Sequence, residues 1–366
     1  INNDIFTEEE REYLRVNRFW VDDNEDEIAL LEREINHNIQ KRQKELELTI
    51  ALTNYCNFSC VYCYQNKNEK LMTTEVANMI IEKIDRILND NKFEGINIHY
   101  FGGEPLLNIP VLIYLDENIK KITDKIGIVY KAFLTTNGSM LSKELLQKVK
   151  FSSIQLTFDG LEKTHDRLRV SDHFHFKEEI ELIENIMNFS QAKVLLRTNI
   201  CKENKDEIIA LHKYIFEKFG NERIEINPNR TIKYHQDDSF EMLSVQEYAE
   251  VAYQIKLLWS EQKGKFELPV PRSTPCKFPY GNAYAISPEG YCTFCSGSMD
   301  QEKKYFFDVD IENKKMFSVR KECKKCNILP LCLGGCIIQY NLRAGACTYE
   351  KYELKNILIS YIKHIS

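Results

Sequence analysis

The stretch Leu46-Glu47-Leu48-Thr49-Ile50-Ala51-Leu52-Thr53-Asn54-Tyr55-Cys56-Asn57-Phe58-Ser59-Cys60-Val61-Tyr62-Cys63 decides the fold. It opens on an apolar–polar alternation, the period-two signature of a strand with one buried face, and closes on a CxxxCxxC group in the loop that follows. Downstream, residues 74–88 carry Val76, Ile80, Ile84 and Ile87 along one helical face. Strand-like runs recur at 96–101, 128–134, 153–158, 194–199 and 223–226, with helical patterns at 176–187 and 206–219 separating several of them. Six strands alternating with helices predict right-handed βαβ units around a parallel sheet, either doubly wound or a partial barrel. Sites in such sheets lie beyond the carboxyl ends of the strands. The three cysteines, Gly102-Gly103-Glu104, Thr136-Asn137-Gly138 and Asp159-Gly160 each follow a strand, so they are expected to converge on one face.

Outward from this repeat, residues 1–45 are charged and helical in pattern at 8–16 and 25–44, and read as an N-terminal helical appendage. A helix opens at Ser244, which has capping-box spacing with Glu247, and runs to about residue 262. After Pro269 and Pro271 the chain changes character: a Ser287-Pro288-Glu289-Gly290 turn between 283–286 and 291–294 reads as a hairpin, and a cysteine-dense tail follows. The expected division is 1–45, a partial barrel at 46–265, a metal-stabilised domain at 266–350, and a C-terminal helix at 351–366. The 366 residues hold 49 Lys and Arg against 55 Asp and Glu, a net charge of −6 without a long basic block, which argues against nucleic acid as a partner. No apolar run reaches the roughly 18 residues of a membrane helix. No charged-then-apolar leader is visible, and the expected location is cytoplasmic.

Twelve cysteines in a chain of this size, with a core of its own and no visible signal, argue for metal chemistry over disulfides. Cys56, Cys60 and Cys63 form one group and Cys201 stands alone. Cys276, Cys292, Cys295, Cys323, Cys326, Cys332, Cys336 and Cys347 crowd into the last quarter. From spacing alone, the eight suit iron–sulfur clusters and structural zinc equally, because both accept four thiolates. The three differ: they leave one iron of a four-iron cluster open, and an open coordination position makes a metal site reactive. The nearest histidines that zinc would need there are His37 and His99. Cys201 reads as a buried free thiol.

At this point the residues resemble a known family, the radical S-adenosylmethionine (SAM) enzymes. Cys56-x3-Cys60-Val61-Tyr62-Cys63, with aromatic Tyr62 before the last cysteine, is similar to that superfamily's cluster motif. Tyr100-Phe101-Gly102-Gly103-Glu104-Pro105 resembles its glycine-rich SAM segment, and Thr135-Thr136-Asn137-Gly138 its TNG segment. Thr157-Phe158-Asp159-Gly160 with His165-Asp166-Arg167-Leu168-Arg169 resembles its SxDG…HDxxR pattern, with Thr157 where Ser is usual. The resemblance spans about residues 46–350 and implies a partial (β/α)6 barrel. It implies that the open iron chelates SAM, that one electron from the reduced cluster releases a 5′-deoxyadenosyl radical, and that this radical abstracts hydrogen from substrate. Tyr62, Gly102, Gly103, Glu104, Thr136, Asn137, Thr157, Asp159, Arg169 and Arg197 are the expected cofactor-binding residues, Arg169 or Arg197 pairing with the SAM carboxylate. No acid or base is identified.

The tail resembles the seven-cysteine signature of SPASM domains, which carry auxiliary [4Fe–4S] clusters. Carried over, it implies Cys276, Cys295 and Cys336 for one cluster and Cys323, Cys326, Cys332 and Cys347 for the other. Cys292, the eighth, lies outside that signature: it completes the first cluster, the favoured reading because it stands three residues from Cys295, or it is free and leaves that cluster an open iron for substrate, and three clusters are expected either way. Such enzymes act mostly on peptides. The segment from Phe6 to Glu10 and Phe19-Trp20-Val21-Asp22-Asp23, and the run 195–200, resemble maturases of ribosomally made peptides. This implies a precursor peptide with a leader as substrate, a flavodoxin or ferredoxin as electron donor, and a cysteine-to-carbon thioether as product. Carbon–carbon crosslinking, formylglycine formation on a sulfatase and epimerisation share every motif. An iron–sulfur electron carrier is the non-enzyme alternative, but a carrier needs neither SAM segments nor an open iron. No complete leader-recognition domain of roughly 80–90 residues precedes the barrel, so either the N-terminus is shortened or another surface serves.

Overall fold

A computed structural model describes residues 7–16, 24–65, 67–90, 93–220, 223–233, 239–264, 268–293, 295–298, 304–309, 316–336 and 347–365. The segment Phe19–Asp23, Phe6 and Phe294, singled out above, lie outside the described residues.

Strands β1 (Glu45–Ala51), β2 (Gly95–Phe101), β3 (Val129–Thr135), β4 (Phe151–Thr157), β5 (Lys193–Ile200) and β6 (Ile224–Arg230) stand side by side in chain order, all parallel. Among the described residues the sheet is not closed between β6 and β1: β6 forms an edge, and β1 instead takes a further parallel neighbour, β7 (Ala283–Ile286). Strands in chain order without a reversal match the partial barrel rather than the doubly wound sheet, the two architectures that the alternating pattern leaves open. β6 runs through Pro228, which the strand pattern stops short of. As an edge strand it has a side on which a missing N–H costs no ladder bond.

Pleating explains the packing. Leu46, Leu48, Ile50, Ile96, Ile98, Tyr100, Ala132, Leu134, Ile154, Leu156, Val194 and Leu196 are buried in one core with α3 (Thr74–Asp90), α4 (Ile109–Ile126), α7 (Phe176–Phe189), α8 (Ile208–Phe219) and α9 (Val245–Lys263). The alternate residues, among them Glu47, Thr49, Asn97, His99, Thr135, Gln155, Arg197 and Asn227, face the other way and make the concave face polar. α9 begins as its sequence indicates, with Ser244 and Glu247 in a reciprocal capping box, and stops at left-handed Gly264.

The hairpin β7–β8 (Tyr291–Thr293) extends the same sheet, and a short β9 (Lys304–Tyr305) pairs with β8. Its turn closes through Gly290 in a left-handed conformation. The N-terminal helices differ from a free appendage. α1 (Glu8–Val16) is followed by α2 (Glu27–Arg42), whose Ile35 and Ile39 pack with Phe317, Val319, Leu329 and Leu333 from the cysteine-rich part. Asn36 clamps the Phe317 backbone in both directions, Oδ1 accepting at 2.7 Å and Nδ2 donating at 2.9 Å, and Glu32 accepts from Val319 N at 2.7 Å. The last helix, Glu350–Ile365, packs along α9. Among the described residues, no helix is long and apolar enough to cross a membrane.

Candidate active site

The loop after β1 carries Cys56, Cys60 and Cys63, all half-buried at the carboxyl end of the sheet. Its first residues are fixed against the end of β2: Gly103 N donates to Thr53 O and Glu104 N to Tyr55 O, both at 2.9 Å. This approach is why glycine stands at 102 and 103. A Cβ on Gly102, whose φ is +132°, would lie 2.3 Å from Thr53 O, and one on Gly103 2.2 Å from Tyr55 O. The close approach these glycines permit is thus to the backbone of the cysteine loop.

Glu104 is fully buried and joins two strand ends. Its carboxylate accepts from Leu106 N (2.9 Å), Thr136 Oγ1 (2.7 Å) and Asn137 N (2.6 Å). Burial raises its pKa to about 7, and those hydrogen bonds resist the rise. Asn137 carries the connection onward: its Nδ2 donates to Asn57 Oδ1 at 2.8 Å and approaches Cys56 Sγ at 3.9 Å. Asp159, also fully buried, accepts from Asn199 N at 2.6 Å and from the Tyr62 hydroxyl. Burial holds the Asp159 carboxyl above its ordinary value against the pull of Arg169. The ends of β1 to β5 are therefore linked by side chains that the sequence placed after separate strands.

Thr157 is buried at the end of β4, opposite Arg197 on β5. Arg197 is half-buried on the concave face, its Nε donating to Asn199 Oδ1 at 2.8 Å. Arg169 lies behind the cysteine loop, only 5% exposed, its guanidinium 5.4 Å from the Phe58 ring centre. Cys201 is buried in a small cluster with Leu168 and Phe240. His99 is a residue the motif reading passed over. Half-buried on the concave face, its Nε2 is 2.8 Å from Thr135 Oγ1, and burial with nearby Lys277 lowers its pKa to about 4. The alternation Ile96-Asn97-Ile98-His99-Tyr100 held the signal for it.

The donor set fits an iron–sulfur cluster. Burial pushes the Cys60 thiol up to about 11 and raises that of Cys56, so both are poor anions until a metal takes the proton's place. Amide donors already aim at sulfur: Phe58 N is 3.4 Å from Cys56 Sγ, and such N–H···S contacts are among the levers on a cluster's potential. In the cysteine-rich part, Cys323, Cys326, Cys332 and Cys347 line one cavity of about 430 Å³. Cys276 lies at a second cavity beside Tyr280 and Phe317, where burial raises its thiol pKa. Cys295 accepts from Gly297 N at 3.3 Å, whereas Cys292, on β8, is buried in the main core. Among the described residues, no three His, Cys, Asp or Glu side chains close on a point as they would around a single metal ion.

Residues 50–215 match the family model of the radical SAM superfamily. The chain carries a radical SAM domain. That domain holds the cysteine loop and the strand ends through β5, and the superfamily implies a [4Fe–4S] cluster and SAM for such a domain. A stretch of 119 residues is 34% identical to an uncharacterized protein of Methanocaldococcus jannaschii, covering 31% of this chain and 39% of that one, less than half its length. The radical SAM cyclopropyl synthase TigE of Paramaledivibacter caminithermalis is 24% identical over 372 residues, 89% of this chain and 76% of TigE. Among solved structures, anSMEcpe with bound AdoMet and the Cp18Cys peptide has a TM-score of 0.68 at 19% identity, covering 88% of this chain and 98% of that one. SuiB of Streptococcus suis bound to precursor peptide SuiA has a TM-score of 0.59 at 17% identity, covering 93% and 86%. At these identities the structures share the radical SAM domain's fold.

Proposed function

We propose that this radical SAM enzyme modifies a ribosomally made precursor peptide, installing a thioether between a cysteine and a carbon of the same peptide. The observation that carries the reading is the joining of the Cys56-Cys60-Cys63 loop, Glu104, Asn137 and Asp159 at one end of an open barrel with a polar concave face. Likeness to TigE along most of the chain, and a fold shared with two proteins solved with peptides, favours a peptide as substrate. When bound, the cluster and SAM supply one-electron reductive cleavage to a 5′-deoxyadenosyl radical that abstracts hydrogen.

The chain's own residues do the rest. Cys56, Cys60 and Cys63 would hold the cluster. Gly102 and Gly103 bring the β2 end against that loop, Thr136, Asn137, Thr157 and Asp159 fix the rim, and Arg197 offers a guanidinium to an anionic group at the mouth. Tyr62 anchors the loop to Asp159. The open barrel admits a peptide while its polar inner face orients it, which is what holding a radical close to one C–H requires. Residues 46–265 form the catalytic unit in this reading and 266–350 a SPASM domain, with 1–45 and 351–366 flanking. That domain takes two auxiliary [4Fe–4S] clusters, one on Cys323, Cys326, Cys332 and Cys347, the other on Cys276, Cys295 and Cys336 with Cys292 as its fourth ligand. A flavodoxin or ferredoxin serves as electron donor.

The test is a mass spectrum of a small cysteine-containing peptide encoded beside the gene, before and after anaerobic incubation with reconstituted enzyme, SAM and reductant. A loss of about 2 Da with the thiol blocked to alkylation is the expected result, because closing the thioether removes two hydrogens. The TigE likeness favours a carbon–carbon ring as second reading, recognised by the same loss with the thiol still alkylated. An unchanged mass with solvent deuterium retained points to epimerisation and rules out both.

A further inference from the structure

We propose that Arg169, seated by Glu179, is a positioning residue for the loop bearing Cys60, and that its buried charge favours the reduced state of the cluster held there. This rests on the assignment of Cys56, Cys60 and Cys63 as cluster ligands. The backbone carries the first observation. Ser59 N donates to Val170 O at 2.8 Å and Val61 N to Leu168 O at 3.0 Å. Both bonds run from the cysteine loop to the chain leaving the helix, and they bracket Cys60 on one side and Arg169 on the other. The loop from 59 to 61 is thus stitched to the segment that ends helix α6 (Glu162–Leu168).

The side chain of Arg169 then touches the residues two before and two after Cys60. Its guanidinium lies 5.4 Å from the Phe58 ring centre, and its Nη1 is 3.5 Å from the Tyr62 hydroxyl. Behind it stands Glu179 of α7, whose side chain is 0% exposed against 6% for Arg169, with Oε2 4.0 Å from Arg169 Nε. The same carboxylate oxygen is 3.2 Å from His165 Nε2. His165 lies in α6 and Arg169 is the residue that caps its end, and both reach the same Glu179 carboxylate oxygen on α7. Burying such groups is expensive, and Arg169 Nε and both Glu179 carboxylate oxygens are buried without a hydrogen bond.

Reduction adds one electron, taken from the reductant, and hence one unit of negative charge to the cluster. A guanidinium held opposite one of its thiolates, out of water, lowers the energy of that added charge far more than a solvated one would. Glu179 and Asp159 act against it, but Asp159 is already engaged by the Tyr62 hydroxyl and Asn199 N. The balance sets the potential, and Glu179 fixes where the positive end sits.

The experiment is an anaerobic potentiometric titration of the full-length reconstituted protein, followed by EPR of the signal that disappears when Cys56, Cys60 and Cys63 are replaced by Ala. Arg169→Met is expected to lower its midpoint potential and Glu179→Gln to raise it, with Arg169→Lys nearer wild type than Met and auxiliary signals unmoved. In the iron-free chain, amide exchange at residues 59–61 is expected to quicken in Arg169→Met. Unmoved potentials in both Arg169→Met and Glu179→Gln overturn the charge role, and unchanged exchange overturns the positioning role. If Arg169→Met does not fold, Glu179→Gln decides alone, an absent upward shift being the contrary result. A wild-type protein with no signal dependent on those three cysteines would instead sink the ligand assignment, and the charge role with it.

Discussion

Glu104 makes the residue scale concrete. An acid whose folded pKa lies near 7 against an ordinary 4.5 binds its proton more tightly when folded. The stability linked to it is present below about 4.5 and is lost as pH rises toward 7, because the unfolded state gives up its proton first. Urea unfolding of the cluster-free protein is expected to show wild type losing on the order of 3 kcal/mol more than Glu104→Gln between those limits; parallel pH profiles would contradict this. The paired glycines give a second expectation. Gly103→Ala would drive a Cβ into the Tyr55 carbonyl, which is backbone and cannot swing aside, costing about 1–3 kcal/mol and displacing the loop that presents Cys56. Gly127→Ala, where nothing lies within 4 Å, is the control: it pays only backbone strain at φ +82° and leaves iron uptake unchanged. Iron content per chain and thermal melting check both. The sequence made the site residues legible as groups that each follow one of four strands. It did not reveal that the glycines meet the cysteine loop, or that Arg169 sits behind that loop, because both facts depend on which backbone lies across the gap.

Among the elements, those with long one-faced periodicity were readable. The strands and the helices Thr74–Asp90, Phe176–Phe189 and Val245–Lys263 follow their patterns within a few residues, as burial of one face requires. β6 was read too short, since Asn227-Pro228-Asn229-Arg230 has no strand character and is extended only by pairing with β5 along a free edge. α2 was readable as a helix but not as a docked one: an apolar stripe says that a face is covered and leaves open by what. Its contact with Phe317, Val319, Leu329 and Leu333 couples the start of the chain to the cysteine-rich part. Ile35→Ala, at 2% exposure, is expected to cost about 2–5 kcal/mol through the cavity left behind. Iron bound by the Cys323-Cys326-Cys332-Cys347 cavity is expected to fall while the Cys56-Cys60-Cys63 site keeps its own. Equal loss from both, or from neither, in iron and EPR counts would contradict the coupling.

On the scale of the whole molecule, a sheet of nine strands among the described residues joins the two cysteine-rich regions. β1 is its pivot. It hands the chain to the cysteine loop at its carboxyl end and pairs on one side with β2, on the other with β7 of the hairpin that leads into the tail. The change in composition near residue 266 suggested two separable parts; the parallel pairing of β1 with β7 joins them, a long-range contact that no local pattern encodes. Cys323, Cys326, Cys332 and Cys347, the set that the resemblance to SPASM domains implies for one cluster, line one cavity. The most direct measurement of the central claim is 5′-deoxyadenosine release and iron content in wild type and in the protein with Cys56, Cys60 and Cys63 all changed to Ala. The account predicts SAM cleavage by wild type, none by the variant, and roughly eight iron and eight sulfide remaining in the variant. Cleavage retained without those three cysteines would contradict it.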